Sequence, residues 1–260
     1  MDYSTIKVSV ADAIAVITLS DPASLNAVTP RMLEELGHAM DGVAAPGSGI
    51  RAIVLTGEGR AFCAGFNMTV MNASGHDRAA EMAAEGNPSI DKLRDSPMPI
   101  VTAVNGPAAG VGSSIALLGD LVVAAESAYF LLAFRHRGFA PDGGATYLIS
   151  RLAGKARAME LALFGERLPA RTALEWGMIN RCVPDDQLMP TAMALARSLA
   201  AGPTVALGYT RRLIWQGLDS TWSDAVEAEG RVQGVLGVTE DCHEGVRAFL
   251  ERRPPVFTGR

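Results

Sequence analysis

The sequence predicts an α/β fold with a helical C-terminal third. Three observations carry this. Short β-branched runs in the first half each end at a Gly, Pro or Asp turn. Helical segments alternate with them, the pattern of parallel βαβ units. Beyond residue 143 almost every segment repeats at helical spacing.

Taken in order, residues 6–10 and 14–19 are expected strands joined by Ala11-Asp12-Ala13, and Ser20-Asp21-Pro22 stops the second. Thr29-Pro30 is a cap followed by proline at the first helical position, with Met32, Leu33, Leu36 and Met40 at helical spacing. Residues 51–56, 100–104 and 121–125 are apolar runs suited to buried parallel strands, and 129–132 is a further short one. A Gly-rich loop follows the first of these, from Gly57 to Gly65, and residues 110–118 are an expected helix. Residues 73–99 are rich in Ala, Glu, Asp, Gly and Pro, and are expected to form a mobile, partly helical lid. Helices are then expected over 143–152, 155–163, 170–175, 188–201, 205–216, 220–237 and 239–251.

The chain has 260 residues, which suits one large domain or a domain with a helical appendage. Hydrophobic residues make up 48% and charged residues 20%, an ordinary globular balance. Net charge is −5 and no basic block occurs, which argues against nucleic-acid binding. Cys63, Cys182 and Cys242 are few, odd in number and far apart, pointing away from disulfides and towards a reducing, cytoplasmic setting. The polar, alternating N-terminus has no signal-peptide pattern, and no apolar run suits a membrane span.

Three loops carry candidate chemistry. Gly59-Arg60-Ala61-Phe62-Cys63-Ala64-Gly65-Phe66-Asn67-Met68 follows a predicted strand, where ligands of open α/β sheets sit. Its small residues allow the backbone to approach a ligand oxygen, although ordinary turns have the same composition. The second loop, Asn105-Gly106-Pro107-Ala108-Ala109-Gly110-Val111-Gly112, opens a helix whose first N–H groups lack internal partners and suit an oxyanion. Tight helix–strand packing explains these glycines equally well. A dinucleotide fingerprint does not, because Ile115 stands where its third glycine belongs. The third, Pro141-Asp142-Gly143-Gly144, precedes a predicted helix, so Asp142 suits a cap or turn as readily as a catalytic carboxylate.

Residues 19–28 (LSDPASLNAV), 59–68 (GRAFCAGFNM), 103–124 (AVNGPAAGVGSSIALLGDLVVA), 138–154 (GFAPDGGATYLISRLAG) and 248–257 (AFLERRPPVF) together resemble the enoyl-CoA hydratase/isomerase, or crotonase, superfamily. The resemblance covers essentially the whole chain. It implies a crotonase-like spiral of ββα units over residues 1–195, holding CoA and the active site. A C-terminal helical region over 196–260 would build a homotrimer, or a hexamer of two trimers. The substrate implied is an acyl-CoA thioester, from fatty-acid or aromatic breakdown. CoA then enters with the substrate, so no separate cofactor, metal, membrane or nucleic-acid partner is expected.

The resemblance further implies an oxyanion hole from the backbone N–H groups of Phe66 and Val111, where relatives usually have glycine at the second place. Ala23, Leu25, Ala64, Phe66, Asn67, Met68 and Val111 would cradle the CoA moiety. Arg252, Arg253 and Phe257 would cover its nucleotide, within the chain or from a neighbouring subunit. The two glutamates with which hydratases of the family hold water fall at Ser114 and Phe134, and neither is acidic. Isomerases and the ring-opening and dehalogenating members instead place an acid at the position of Asp142. The reading that follows is a single-carboxylate enoyl-CoA isomerase. A hydratase-like or hydrolase-like enzyme holding water with Ser114 and Asp142, and a non-catalytic acyl-CoA-binding protein, are the alternatives.

Other polar residues fit catalysis less well. Ser113-Ser114 has no His and Asp partners in a recognisable pattern, and His38, His76 and His243 are isolated. Arg135 and His136 suit supporting roles, and Cys63 suits packing.

Overall fold

The computed structural model describes residues 3–71 and 82–260. Its strands in chain order are β1 (Ile6–Ala11), β2 (Ile14–Leu19), β3 (Ala52–Gly57), β4 (Ile100–Val104), β5 (Ala108–Ala109), β6 (Leu121–Ala125), β7 (Tyr129–Leu131), β8 (Arg167–Pro169) and β9 (Arg181–Val183). One six-stranded sheet has the order β1-β2-β3-β4-β6-β9. It is parallel except for the β1–β2 hairpin. A second sheet of β5, β7 and β8 stands beside it, with β5 parallel to β7 and β8 antiparallel.

The central strands read as continuous apolar runs because they are covered on both faces. Ile53, Val54, Leu55, Val101, Ala103 and Val104 are all buried. The helix Pro30–Ala44 begins where the Thr29 Oγ1 accepts from the Met32 N–H at 3.1 Å. It buries Met32, Leu33, Leu36, Met40 and Val43 on one stripe. The helix Leu188–Ala200 packs on β3, β4 and β6. It does so through Leu188, Ala192, Ala196 and Ala200, one every fourth residue, where small side chains allow close approach.

Several expectations are revised. The largely helical region beyond residue 143 also contains β8 and β9, three-residue strands too short to show a period. The expected lid over 73–99 falls partly on residues outside those described. Its remainder forms a π-turn at Met82–Gly86 and a helix at Asn87–Arg94, packed against Pro30–Ala44.

The last three helices are Thr204–Gly217, Trp222–Leu236 and Glu240–Glu251. Arg211 fastens the first of them to the body of the protein. Its guanidinium pairs with Asp120 at 2.8 Å and donates to the carbonyls of Leu93, Arg94 and Ser96. The tail folds back on the final helix. Asp241 accepts from the Thr258 and Gly259 N–H groups, and Glu244 from the Val256 N–H.

Candidate active site

The first wall is the loop after β3 together with residues 21–28. Asn26 ties them: its Nδ2 donates to the carbonyls of Glu58 (2.9 Å) and Ala61 (2.8 Å), and its Oδ1 accepts from the Asp21 N–H (2.9 Å). Reaching this position takes two consecutive left-handed residues, Leu25 (φ 60°) and Asn26 (φ 56°). The Ala64 N–H donates to the Leu25 carbonyl at 3.0 Å. The Val28 N–H donates to Gly65 at 2.7 Å, and the Asn67 N–H to Val28 at 2.8 Å. Alternate N–H groups of an extended segment point to opposite edges, so the Phe66 N–H points away from Val28. The Asn67 Oδ1 accepts from the N–H and Oγ1 of Thr69, opening the short helix Met68–Met71. Ala23, Leu25, Ala64, Phe66, Asn67 and Met68 are thereby brought onto one wall.

The second wall is the turn into the helix Val111–Leu117. The Ala109 N–H donates to the Cys63 carbonyl at 2.8 Å, and the Gly110 N–H to Leu131 at 2.8 Å. Gly110 adopts φ 54°, ψ −130°, a conformation that only glycine reaches readily. Val111 is the first helical residue, so its N–H belongs to the set that a helix leaves without an internal acceptor. Gly112 packs so closely on the Cys63 carbonyl that a Cβ there would lie 2.4 Å from it. Cys63 itself is fully buried, and burial pushes its thiol up to about 12, against the pull of the Gly65 and Val28 backbone. It is a packing residue, as its place in the sequence suggests.

The third wall is the segment from the 3₁₀ turn Ala133–Arg137 to the helix Ala145–Ala153. Gly143 lies against the start of the preceding helix: a Cβ on it would be 2.8 Å from Val111 Cγ2 and 3.2 Å from Ser114 Cβ. The buried Ser114 Oγ donates to the Asp142 carbonyl at 3.0 Å. Asp142 Oδ1 is shielded from solvent. The N-cap of the new helix is Gly144, which has no side-chain cap. What Asp142 supplies to the turn is its carbonyl, accepting from the Ala145 N–H at 3.1 Å. Phe134 is half-buried, its ring edge 3.8 Å from where a Gly110 Cβ would be.

Phe66, Val111 and Asp142 therefore sit on three abutting loops, with Ser114 and Phe134 between them. Such an arrangement can hold a developing oxyanion beside a carboxylate. Other candidates lie elsewhere. Ser113 is not a nucleophile, since its buried Oγ donates to the Ala108 carbonyl at 2.6 Å. His136 and Arg135 anchor the turn to the Gly165 (2.9 Å) and Leu163 (2.5 Å) carbonyls. His38 bonds to the Tyr3 hydroxyl, His243 lies on the final helix, and His76 is outside the described residues. Arg253, expected over the nucleotide, forms ion pairs with Glu244 (2.6 Å) and Glu251 (2.6 Å). Two contacts escaped the sequence reading: the Asn26 brace and the Ser114–Asp142 bond. The first had a signal in Ser-Leu-Asn after a proline turn; the second joins residues 28 apart and had none.

The fold sets three loops side by side, bringing the backbone segments of Phe66, Val111 and Asp142 next to one another. The chain belongs to the enoyl-CoA hydratase/isomerase family, whose model matches residues 9–260. A probable enoyl-CoA hydratase of Rhodobacter capsulatus is 42% identical over 260 residues, covering 100% of both chains. The 1,2-epoxyphenylacetyl-CoA isomerase of Escherichia coli K12 is 42% identical over 248 residues, covering 94% of each. A crystal structure of an enoyl-CoA hydratase subunit I from Geobacillus kaustophilus superposes with a TM-score of 0.94 at 33% identity, covering 100% of both chains. The architecture is thus the crotonase fold, and the protein is an enzyme of that family. Among the described residues no helix is long and apolar enough to cross a membrane.

Proposed function

We propose that this enzyme is an enoyl-CoA isomerase in which Asp142 moves a proton between two carbons of the acyl group. The observation that carries the reading is the contact of Gly143 with Val111 and Ser114, which sets Asp142 beside the helix start expected to bind the thioester oxygen. With a 3-enoyl-CoA bound, the carboxylate takes a proton from C2. The C2–H electron pair delocalises through the double bond and the thioester, giving a dienolate with charge on the thioester oxygen. The N–H groups of Phe66 and Val111 stabilise that charge, each worth about 3 kcal/mol in such sites. Asp142 then returns the proton to C4, and the product is a 2-enoyl-CoA of unchanged mass. Ala23, Leu25, Ala64, Asn67 and Met68 hold the CoA portion.

Hydration needs a group to activate water and another to donate a proton. Ser114, whose hydroxyl donates to a peptide carbonyl, and Phe134 do not form such a pair. The name of the Rhodobacter capsulatus relative favours hydration as the second reading. That of the Escherichia coli relative favours isomerisation and admits ring-derived acyl groups.

The test is incubation with trans-3-enoyl-CoA and trans-2-enoyl-CoA, followed by mass and chromatographic analysis. Unchanged mass with a shifted double bond, lost in Asp142→Asn, supports the isomerase. Gain of one water overturns it in favour of the hydratase. Tight CoA binding without any product favours a binding protein.

We further propose that the C-terminal helices assemble trimers or hexamers. Val246, Phe249 and Leu250 form an apolar stripe on the last helix, and Phe249 is 82% exposed. A monomer by analytical ultracentrifugation at micromolar concentration refutes this.

A further inference from the structure

We infer that Ser114 is a positioning residue for Asp142, and that the first turn of the Val111–Leu117 helix aligns base and oxyanion donor as one unit. The inference rests on the reading of Asp142 as the base. Val111 and Ser114 are three residues apart, so they share one face of the helix. Both meet the Asp142–Gly143 segment. Val111 Cγ2 packs where a Gly143 side chain would be, and the Ser114 Oγ donates to the Asp142 carbonyl at 3.0 Å. The Val111 N–H and the Asp142 backbone are therefore referenced to the same helical turn.

Ser114 is 0% exposed. Its donor is spent on a peptide oxygen, and it lies under the loop that carries the carboxylate. Gly143 (φ 60°) and Gly144 (φ 84°) follow immediately, so the segment has little conformational restraint of its own. The neighbouring Ser113 donates to the Ala108 carbonyl at 2.6 Å and lies near the Leu131 N–H at 3.3 Å, which fixes the other edge of the same turn. The two adjacent serines thus divide the work: Ser113 fastens the helix start to β5 and β7, and Ser114 fastens the base loop to the helix start. The isomerisation asks one carboxylate to reach two carbons in succession without losing its proton to water. A base held at its backbone returns the proton it took; a base on a loosened loop exchanges it.

The experiment compares wild type, Ser114→Ala, Ser114→Cys and Asp142→Asn for kcat, KM, melting temperature and deuterium taken up by the product in D2O. In Ser114→Ala, kcat should fall about five- to tenfold. KM should stay within about twofold, because the CoA wall is built from other loops. Solvent deuterium in the product should rise, and Ser114→Cys, a weak donor, should lie between. The inference is overturned if Ser114→Ala turns over and retains its proton like wild type while Asp142→Asn is inactive. It is equally overturned if the loss of activity only follows a loss of folded protein. Full activity in Asp142→Asn removes the base itself, and that result is read from the asparagine variant alone.

Discussion

Gly65 and Gly110 lie face to face: a Cβ built on either would come within 3.6 Å of the other's Cα. Both have positive φ, 95° and 54°. Their contact brings the loop after β3 against the helix start after β5, so Phe66 and Val111, one residue further along each segment, follow from neighbouring points.

The two glycines are not equivalent. A Cβ on Gly65 would also lie 2.9 Å from the Ala109 carbonyl oxygen, whereas one on Gly110 meets nothing closer than 3.6 Å. Gly65→Ala should displace the Phe66 N–H and lower kcat/KM by about 10²-fold, the scale of losing one donor. Gly110→Ala should cost only the backbone strain of its φ/ψ, about 1–3 kcal/mol of stability. Kinetics and melting curves on the pair check the contrast.

Asp142→Asn keeps size and shape but removes the base. A drop of about 10²- to 10⁴-fold in kcat is expected, with acyl-CoA affinity retained. Calorimetric titration with a saturated acyl-CoA alongside turnover separates the two quantities.

Glu35 contributes to acid stability. Its buried carboxylate accepts from the backbone and hydroxyl groups of Ser4 and Thr5 at 2.7–2.9 Å, and Arg31 Nε lies at 2.8 Å. Burial alone would raise its pKa, but these hydrogen bonds bring it down to about 2 from 4.5. Because the folded value is the lower one, the unfolded chain binds the proton first as pH falls. The contribution is complete above about 4.5 and is lost as pH falls towards about 2. It amounts to about 3 kcal/mol. Denaturant titrations down through this range should show the loss in wild type and a flatter profile in Glu35→Gln, which is already weaker at neutral pH.

Arg211 is 6% exposed and pairs with Asp120 while donating to three carbonyls. Arg211→Leu should destabilise by about 3–5 kcal/mol, since it leaves Asp120 without its cation and removes one donor from each of the three carbonyls. Lysine should rescue little, because an ammonium cannot match the planar fork. Unfolding midpoints of the two variants should therefore lie close together and well below wild type.

Local pattern accounts for the central elements. The strands Ile14–Leu19, Ile100–Val104 and Leu121–Ala125 and the helix cap at Thr29 stand where pattern and capping chemistry place them. Continuous apolar runs and Thr-Pro starts act over a few neighbouring residues, so they are legible without the fold. Family motifs also marked Phe66, Val111 and Asp142 as candidates, and the fold brings their three loops together.

The remaining features depend on contacts between distant parts of the chain. Two- and three-residue strands such as β5 and β9 exist only because a neighbouring strand supplies their hydrogen bonds. The cover of Arg253 by Glu244, the Gly65–Gly110 contact and the Ser114 bond to Asp142 join residues whose separation along the chain carries no period. Local propensity is set by adjacent residues, whereas a site is set by which loops the sheet order places side by side.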